Sequence, residues 1–401
     1  MGPVPAGPAG RGERSPAGRP GSGSPAAPGD APVPLASYTT LGLGGPAATL
    51  AEPDSEAALV AAVRAADERG GPVLVLGGGS NVVISDDGFP GTVIRVATRG
   101  MSARPAGEAR EAVALTVAAG ENWDGAVARC VAEELAGLEC LSGIPGLAGA
   151  TPIQNVGAYG QEVADTITSV RAYDRKRREI TQIPAAACGF GYRTSFFKHT
   201  PYAPGAATGR FVVLAVTYRL APGPRSGPVR YPELAAELGV AAGDRVPLGE
   251  ARAAVLKLRA RKGMVLDAGD PDTRSAGSFF TNPVLTEAGY RAVVERARRA
   301  AGPGTDVPRF PAGDGQVKVP AAWLIEHAGF AKGFAGPPVA GRDQRRGEPA
   351  RISAKHTLAL TNPGEASTAG LLALARQIRA GVQDAFGVTL VIEPVLVGVA
   401  A

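Results

Sequence analysis

Residues 141–162 read LSGIPGLAGATPIQNVGAYGQE, a run of glycine and small residues in which Glu162 is the one charged side chain. Glycines at 143, 146, 149, 157 and 160 permit positive φ and bring bare peptide groups close to a neighbour. Between them Thr151, Gln154, Asn155 and Tyr159 offer orienting hydrogen bonds. A solvated surface loop would carry charge, whereas Leu, Ile, Val and Tyr run through this one. The stretch therefore reads as backbone packed closely against a bound molecule.

Upstream, VLVLGGGSNVVISDDGFPGTVIRV (73–96) predicts a short buried strand, Val73 to Leu76, broken at Gly77-Gly78-Gly79-Ser80-Asn81 and then resumed. A tight hairpin needs only two glycine-type residues. The third glycine, with Ser80 and Asn81 as polar side chains, suits a loop that presents consecutive amides to a diphosphate. Gly42, Gly44 and Ala47 satisfy a GxGxxG/A spacing, but no strand precedes them and the next helix, announced by Pro53 and Asp54, starts too late for a dinucleotide fold. Val113 to Gly120 reads as a strand, and Asn122 to Leu135 as a helix with Trp123, Val127 and Val131 along one stripe.

Downstream, CGFGYRTSFFKH (188–199) sets Tyr192, Arg193, Ser195 and Lys198 among aromatics. That cluster is either a contact for an anionic ligand or a solvated turn between the strands ITSVRAYD and Phe211 to Leu220. APGPRSGP (221–228) is a linker by composition. Helices are expected over Glu250 to Lys262, Glu287 to Ala300, Pro320 to Ala328 and Ser367 to Phe386. In DPDTRSAGSFFTNPV (270–284), Ser275, Ser278 and Asn282 sit on a constrained turn, where a serine is structural more often than catalytic. GPPVAGRDQRRGEP (336–349) reads as an insertion and HTLALTN (356–362) as a strand. VTLVIEPVLVG (388–398) reads as a terminal strand with Glu393 inside an apolar run. Such a carboxylate is paired, hydrogen-bonded or neutral, unless Pro394 marks an edge strand from which it points outward.

The chain of 401 residues is long enough for two or three domains. No apolar run of about eighteen residues occurs, so no membrane span is expected. Residues 1–36, almost all Gly, Pro, Ala, Ser and Arg, are expected to be disordered and lack the apolar centre of a secretory signal, which favours a cytoplasmic protein. Cys130, Cys140 and Cys188 match no metal or redox spacing, and His199, His327 and His356 add no zinc pattern. The net charge of +5 comes from scattered basic residues and is read as general attraction for anionic ligands, with no nucleic-acid groove.

Taken together, GGGSN (77–81), SGIPGLAGATPIQNVGAYGQE (142–162), CGFGYR (188–193), SAGSFFTNP (275–283), WLIE (323–326) and IEP (392–394) resemble, in order and spacing, the UDP-N-acetylenolpyruvoylglucosamine reductases. The resemblance runs from about Tyr38 to the C-terminus and implies an α+β fold. It implies an FAD-binding region of the p-cresol methylhydroxylase type over 37–222, in two α+β subdomains (about 37–98 and 99–222). An α+β substrate-binding domain with its preceding linker (223–390) and a terminal strand (391–401) with a catalytic glutamate would follow. Non-covalent FAD would lie on Gly77, Gly78, Gly79, Ser80, Asn81, Ile144, Pro145, Gly146, Thr151, Asn155 and Gly157. Three catalytic positions fall on Arg193, Ser278 and Glu393: NADPH gives a hydride to the flavin, which passes it to the β-carbon of UDP-N-acetylglucosamine enolpyruvate. Arg193 would hold the carboxylate, Glu393 would hydrogen-bond the developing enolate, and Ser278 would protonate the α-carbon. Tyr231, in a loop of the family's longer form, together with Lys262, Asn282 and Lys318, would contact the sugar nucleotide. The tail and the insertion near 341–349 depart from the family pattern. No obligate protein partner is expected. The weighed alternatives are an oxidase of the same flavoprotein superfamily, although no histidine lies between Gly77 and Glu162 to attach flavin covalently, and a basic binding module without an enzyme activity.

Overall fold

The computed structural model describes residues 1–2, 33–108, 111–337 and 348–400. Most of the expected tail (3–32) and most of the expected insertion lie outside the described residues. The tail's end is ordered, against expectation, because Val33–Pro34 pairs with Pro46 and Ala47 and Leu35 is buried in the core. The chain is α+β, as its alternation of short strands and capped helices implies.

Val73–Leu76 forms a strand as expected and pairs in parallel with Phe89–Arg95, which pairs in parallel with Pro46–Ala51. The Pro46–Ala51 strand was not anticipated. Gly42 (φ +64°) and Gly44 (φ +126°) turn the chain into it, which accounts for the dinucleotide-like spacing without a dinucleotide fold. The Glu56–Glu68 helix follows, with the Ser55 hydroxyl accepting from Ala58 N at 3.3 Å. A second, antiparallel sheet runs Glu179–Pro184, Ile167–Asp174, Phe211–Pro222, Ala112–Ala118, Met101–Ala106. One apolar cluster joins the two sheets: Leu59 and Val63 from the first helix meet Leu115, Val117, Val170 and Val216 of the second sheet.

The Trp123–Ala132 helix begins at Asn122, whose Oδ1 accepts from Gly125 N at 2.8 Å. Its buried stripe is Trp123, Ala126, Val127 and Cys130; Val131, expected on it, is only half-buried. The segment 221–228 is less of a free linker than its composition implies. Ala221 and Pro222 extend the long strand and pair with Leu135–Ala136, while Ser226 is buried and its N–H donates to Val246 O at 2.7 Å.

Beyond it the helices Leu248–Arg261, Glu287–Ala301 and Thr368–Phe386 appear where periodicity put them. Pro320 caps the Ala321–His327 helix and lies just before its first residue. Ser275–Ser278 pairs with Ala359–Thr361, and a second cluster packs Phe279 and Phe280 against Leu324, Leu371 and Ile378. The expected terminal strand is shorter: Val395–Val397 alone, with Glu393 two residues before it. Val388 and Leu390 are buried as packing residues outside the named strands, and just before Pro394 the chain makes an isolated bridge, Ile392 to Phe280, in place of a strand. Val395–Val397 runs parallel to Val82–Ile84, so the chain end returns to the strand that follows the glycine loop.

Candidate active site

The stretch 141–162 is a strap stitched to its surroundings. Trp123, 1% exposed, donates from its indole Nε1 to Leu141 O at 3.2 Å, and its backbone N donates to Gly146 O at 3.1 Å. Ala148 N and Gly149 N donate to Glu121 O and Ala119 O, each at 2.9 Å. A Cβ at Gly149 would stand 2.5 Å from that of Ala119. The glycines therefore do bring backbone into close approach, here against the protein's own chain.

The 77–81 turn faces this strap. A Cβ on Gly78 would lie 2.7 Å from Gly146 Cα, and Ser80 Oγ donates to Pro145 O at 3.0 Å. Among the described residues, the N–H groups of Gly78, Gly79 and Ser80 have no acceptor, and Asn81 Oδ1 is buried without a donor. Free amides beside an orphaned acceptor complement a group that carries anionic oxygens and hydroxyl or N–H donors, as FAD does.

Not every strap residue points outward. The Thr151 hydroxyl bonds Ala148 O and the Tyr218 hydroxyl at 2.8 and 2.9 Å. Asn155 Nδ2 donates to Glu162 Oε2 (2.6 Å) and Gly191 O (3.1 Å), while its Oδ1 accepts from Ala164 N (3.1 Å). Both side chains are buried and hold the strap's shape. Ile144 is half-buried against the large core.

Asn155 Nδ2 thus reaches the 188–199 segment, and from that segment Ser195 Oγ reaches back to the strap, donating to Ile153 O at 2.7 Å. This brace places Arg193. Its φ is +54°, and with Asn155 (+43°) and Tyr159 (+48°) it makes three non-glycine residues in the left-handed region at one site. Such backbone strain clusters where surrounding structure enforces a functional geometry. Arg193 Nη2 donates to Gly157 O at 2.8 Å, and its Nε lies 3.3 Å from Glu393 Oε1.

Glu393 arrives from the chain end. Its N–H donates to Phe279 O at 3.0 Å, which sets it beside the residue after Ser278, and Ile392 bridges Phe280. Its side chain is 16% exposed. Burial raises its pKa above the usual carboxylate range, and Arg193 and Lys198 only partly oppose that shift. The strand context expected for Glu393 is absent, and of the alternatives left open, the buried and paired one holds.

Tyr192, beside Arg193, gathers two of the expected sugar-nucleotide residues: Lys318 Nζ lies 4.8 Å from its ring centroid, and Asn282 neighbours its hydroxyl. Asn282 Oδ1 also accepts from Ala321 N at 2.9 Å. Tyr231 and Lys262 gather at Tyr159 instead. The Tyr159 and Tyr231 rings meet edge to face at 5.5 Å, and Lys262 Nζ lies 5.7 Å from the Tyr159 centroid while pairing with Glu233 at 2.6 Å. His356, which the sequence reading did not single out, lies near Lys262 and Lys332, with its pKa pushed down to about 4 by burial first and those cations second. A lone histidine before a strand gives no local signal of this.

Residues 270–397 match the family described as "UDP-N-acetylenolpyruvoylglucosamine reductase, C-terminal domain", and residues 46–180 match "FAD binding domain". The UDP-N-acetylenolpyruvoylglucosamine reductase of Thermobifida fusca is 53% identical over 367 residues, 92% of this chain and 97% of its own length. This chain belongs to the UDP-N-acetylenolpyruvoylglucosamine reductase family. The Streptomyces avermitilis reductase is 55% identical over 368 residues, covering 92% of this chain and 94% of its own. A crystal structure of the Thermus caldophilus reductase matches with a TM-score of 0.58 at 26% identity, covering 91% of this chain and 97% of that one. As a member of this reductase family the chain is an oxidoreductase with an FAD-binding domain. No helix among the described residues is long and apolar enough to cross a membrane.

Proposed function

We propose that this enzyme reduces UDP-N-acetylglucosamine enolpyruvate to UDP-N-acetylmuramate at the expense of NADPH, a step of peptidoglycan precursor synthesis in the cytoplasm. The observation that carries the reading is the convergence of Arg193, Glu393 and the Ser278 strand end beside the strap. FAD would be held by Gly77 to Asn81 and by the strap around Ile144, Pro145, Gly146 and Gly157, with Thr151 and Asn155 supporting from behind. When bound, it supplies hydride transfer from NADPH to the β-carbon of the enol ether.

Charge then develops on the α-carbon and its carboxylate. The Arg193 guanidinium, fixed by Gly157 O, offers a planar fork to that carboxylate. Burial favours the neutral form of Glu393, which in that form would donate a hydrogen bond to the developing enolate where an ionised carboxylate would repel it. Ser278 gives its proton to the α-carbon and regains one from solvent, so the product gains one hydride and one proton. A serine acid requires a strongly basic acceptor, which an enolate carbon is. Tyr231, Lys262, Asn282 and Lys318 contact the sugar nucleotide.

The test is anaerobic. NADPH bleaches the flavin of the purified protein, and the enolpyruvyl sugar nucleotide restores its colour. Flavin left reduced by that substrate, or rapid oxygen consumption with a sugar alcohol, would overturn the assignment.

A further inference from the structure

Glu139 is a carboxylate with 1% exposure and no cationic partner among the described residues. A buried charge is tolerated only when hydrogen bonds replace water. Three N–H donors do so here: Gly137 N to Oε2 at 2.6 Å, Gly227 N to Oε1 at 2.6 Å and Gln161 Nε2 to Oε1 at 2.9 Å. Gln161 Oε1 in turn accepts from Cys140 N at 2.9 Å. The donors come from separate segments. Gln161 ends the strap, and Gly227 lies four residues before Tyr231.

A second set of contacts closes the same two segments further along. Gly160 (φ +82°) has room for a Cβ only 3.0 Å from Arg230 Cβ, so strap and loop touch there with no side chain between them. Tyr159, strained at φ +48°, then meets the Tyr231 ring edge to face. A Cβ on Gly227 would stand only 3.3 Å from Glu139 Oε1, so the glycine lets its N–H approach the carboxylate closely. None of these bonds involves Arg193, Ser278 or Glu393.

We propose that Glu139 is a positioning residue that clamps the Tyr231 segment onto the strap, through Gly227 and Gln161, so that Tyr231 is held over the sugar-nucleotide diphosphate. The inference rests on the function proposed above and assigns Glu139 to substrate binding through Tyr231, with no part in hydride or proton transfer. Glu139→Ala removes the carboxylate oxygen that Gly227 N and Gln161 Nε2 share, so both clamp bonds are lost, whereas a glutamine can keep its carbonyl oxygen there and lose only the local Gly137 contact.

The experiment uses FAD-loaded protein and measures the Kd of UDP-N-acetylglucosamine enolpyruvate by calorimetry, together with flavin reduction by NADPH. Glu139→Ala is expected to weaken binding about tenfold or more, the equivalent of at least one lost hydrogen bond, with flavin reduction unchanged. Combined with Tyr231→Ala it should add nothing further, because it acts through that ring. Gln161→Met removes the side-chain donor from the strap and carries the same test if Glu139→Ala does not fold. Unchanged binding, equal loss in flavin reduction, or full additivity with Tyr231→Ala overturns the proposal. Wild-type protein that fails to bind this sugar nucleotide overturns the functional reading and the clamp with it; normal wild-type binding with unaffected variants overturns the clamp alone.

Discussion

Glu393 gives the sharpest test of the chemistry, because replacing it by Ala and by Gln separates its hydrogen bond from its charge. Its side chain is 16% exposed and lies 3.3 Å from Arg193 Nε, so it acts in a partly desolvated site. Removing a donor aimed at a developing oxyanion costs about 3 kcal/mol. At 1.36 kcal/mol per decade, Glu393→Ala should slow the substrate-driven half-reaction by roughly 150-fold. Glu393→Gln keeps a neutral donor and should lose about tenfold or less. The two variants should also differ in pH dependence. Burial raises the Glu393 pKa, so the protonated form survives above the usual glutamate range and the wild-type rate declines as pH rises through that raised value. An amide does not titrate, and the alkaline limb should vanish in Glu393→Gln. Anaerobic stopped-flow measurement of flavin reduction by NADPH, and separately of flavin reoxidation by the enolpyruvyl sugar nucleotide, reads both effects. A Gln variant as slow as the Ala variant, a surviving alkaline limb, or an equal fall in the NADPH half-reaction would refute the reasoning.

Ser278→Ala should leave flavin reduction by NADPH nearly intact and slow reoxidation by orders of magnitude; equal damage to both would make Ser278 structural. Asp67→Ala should destabilise the fold by about 3–5 kcal/mol in urea titration, because it strands a buried guanidinium. The Arg175–Asp67 pair lies at 2.5 Å with side chains only 2% and 8% exposed, and a loss under about 1 kcal/mol would show the pair to be replaceable. His356 is held neutral, its pKa lowered to about 4 from 6.5. Its contribution is fully present above about pH 6.5 and is lost as pH falls towards about 4, where the unfolded chain takes up a proton that the native state refuses. The loss amounts to roughly 3 kcal/mol. His356→Gln should flatten that acid slope, and an unchanged slope of unfolding free energy against pH would count against it.

How much could be read in advance depended on the range of the interaction. Asn122 and Ser367, the expected first residues of their helices, cap them through amides three residues on, whereas the helix expected from Pro53 and Asp54 is capped by Ser55. The Val73–Leu76 strand and its glycine break were equally plain. The Pro46–Ala51 strand was missed because its partner, Phe89–Arg95, lies beyond an intervening helix. The strap's glycines and small residues correctly announced close approach, yet their number did not say that Gly149 meets Ala119 and Gly78 meets Gly146.

By itself the sequence determined the local elements, their caps and the ordered motifs that mark the reductase family, because these follow from neighbours along the chain. Only the tertiary structure decided that Val395–Val397 pairs with Val82–Ile84, drawing Glu393 back towards Arg193. It alone decided that Thr151 and Asn155 turn inward and that Glu139 gathers amides from three segments. The decisive contacts among them, Thr151 to Tyr218, Glu139 to Gly227 and Val395–Val397 to Val82–Ile84, join residues far apart in sequence, and no local propensity encodes which distant groups will compensate a buried charge or complete a strand.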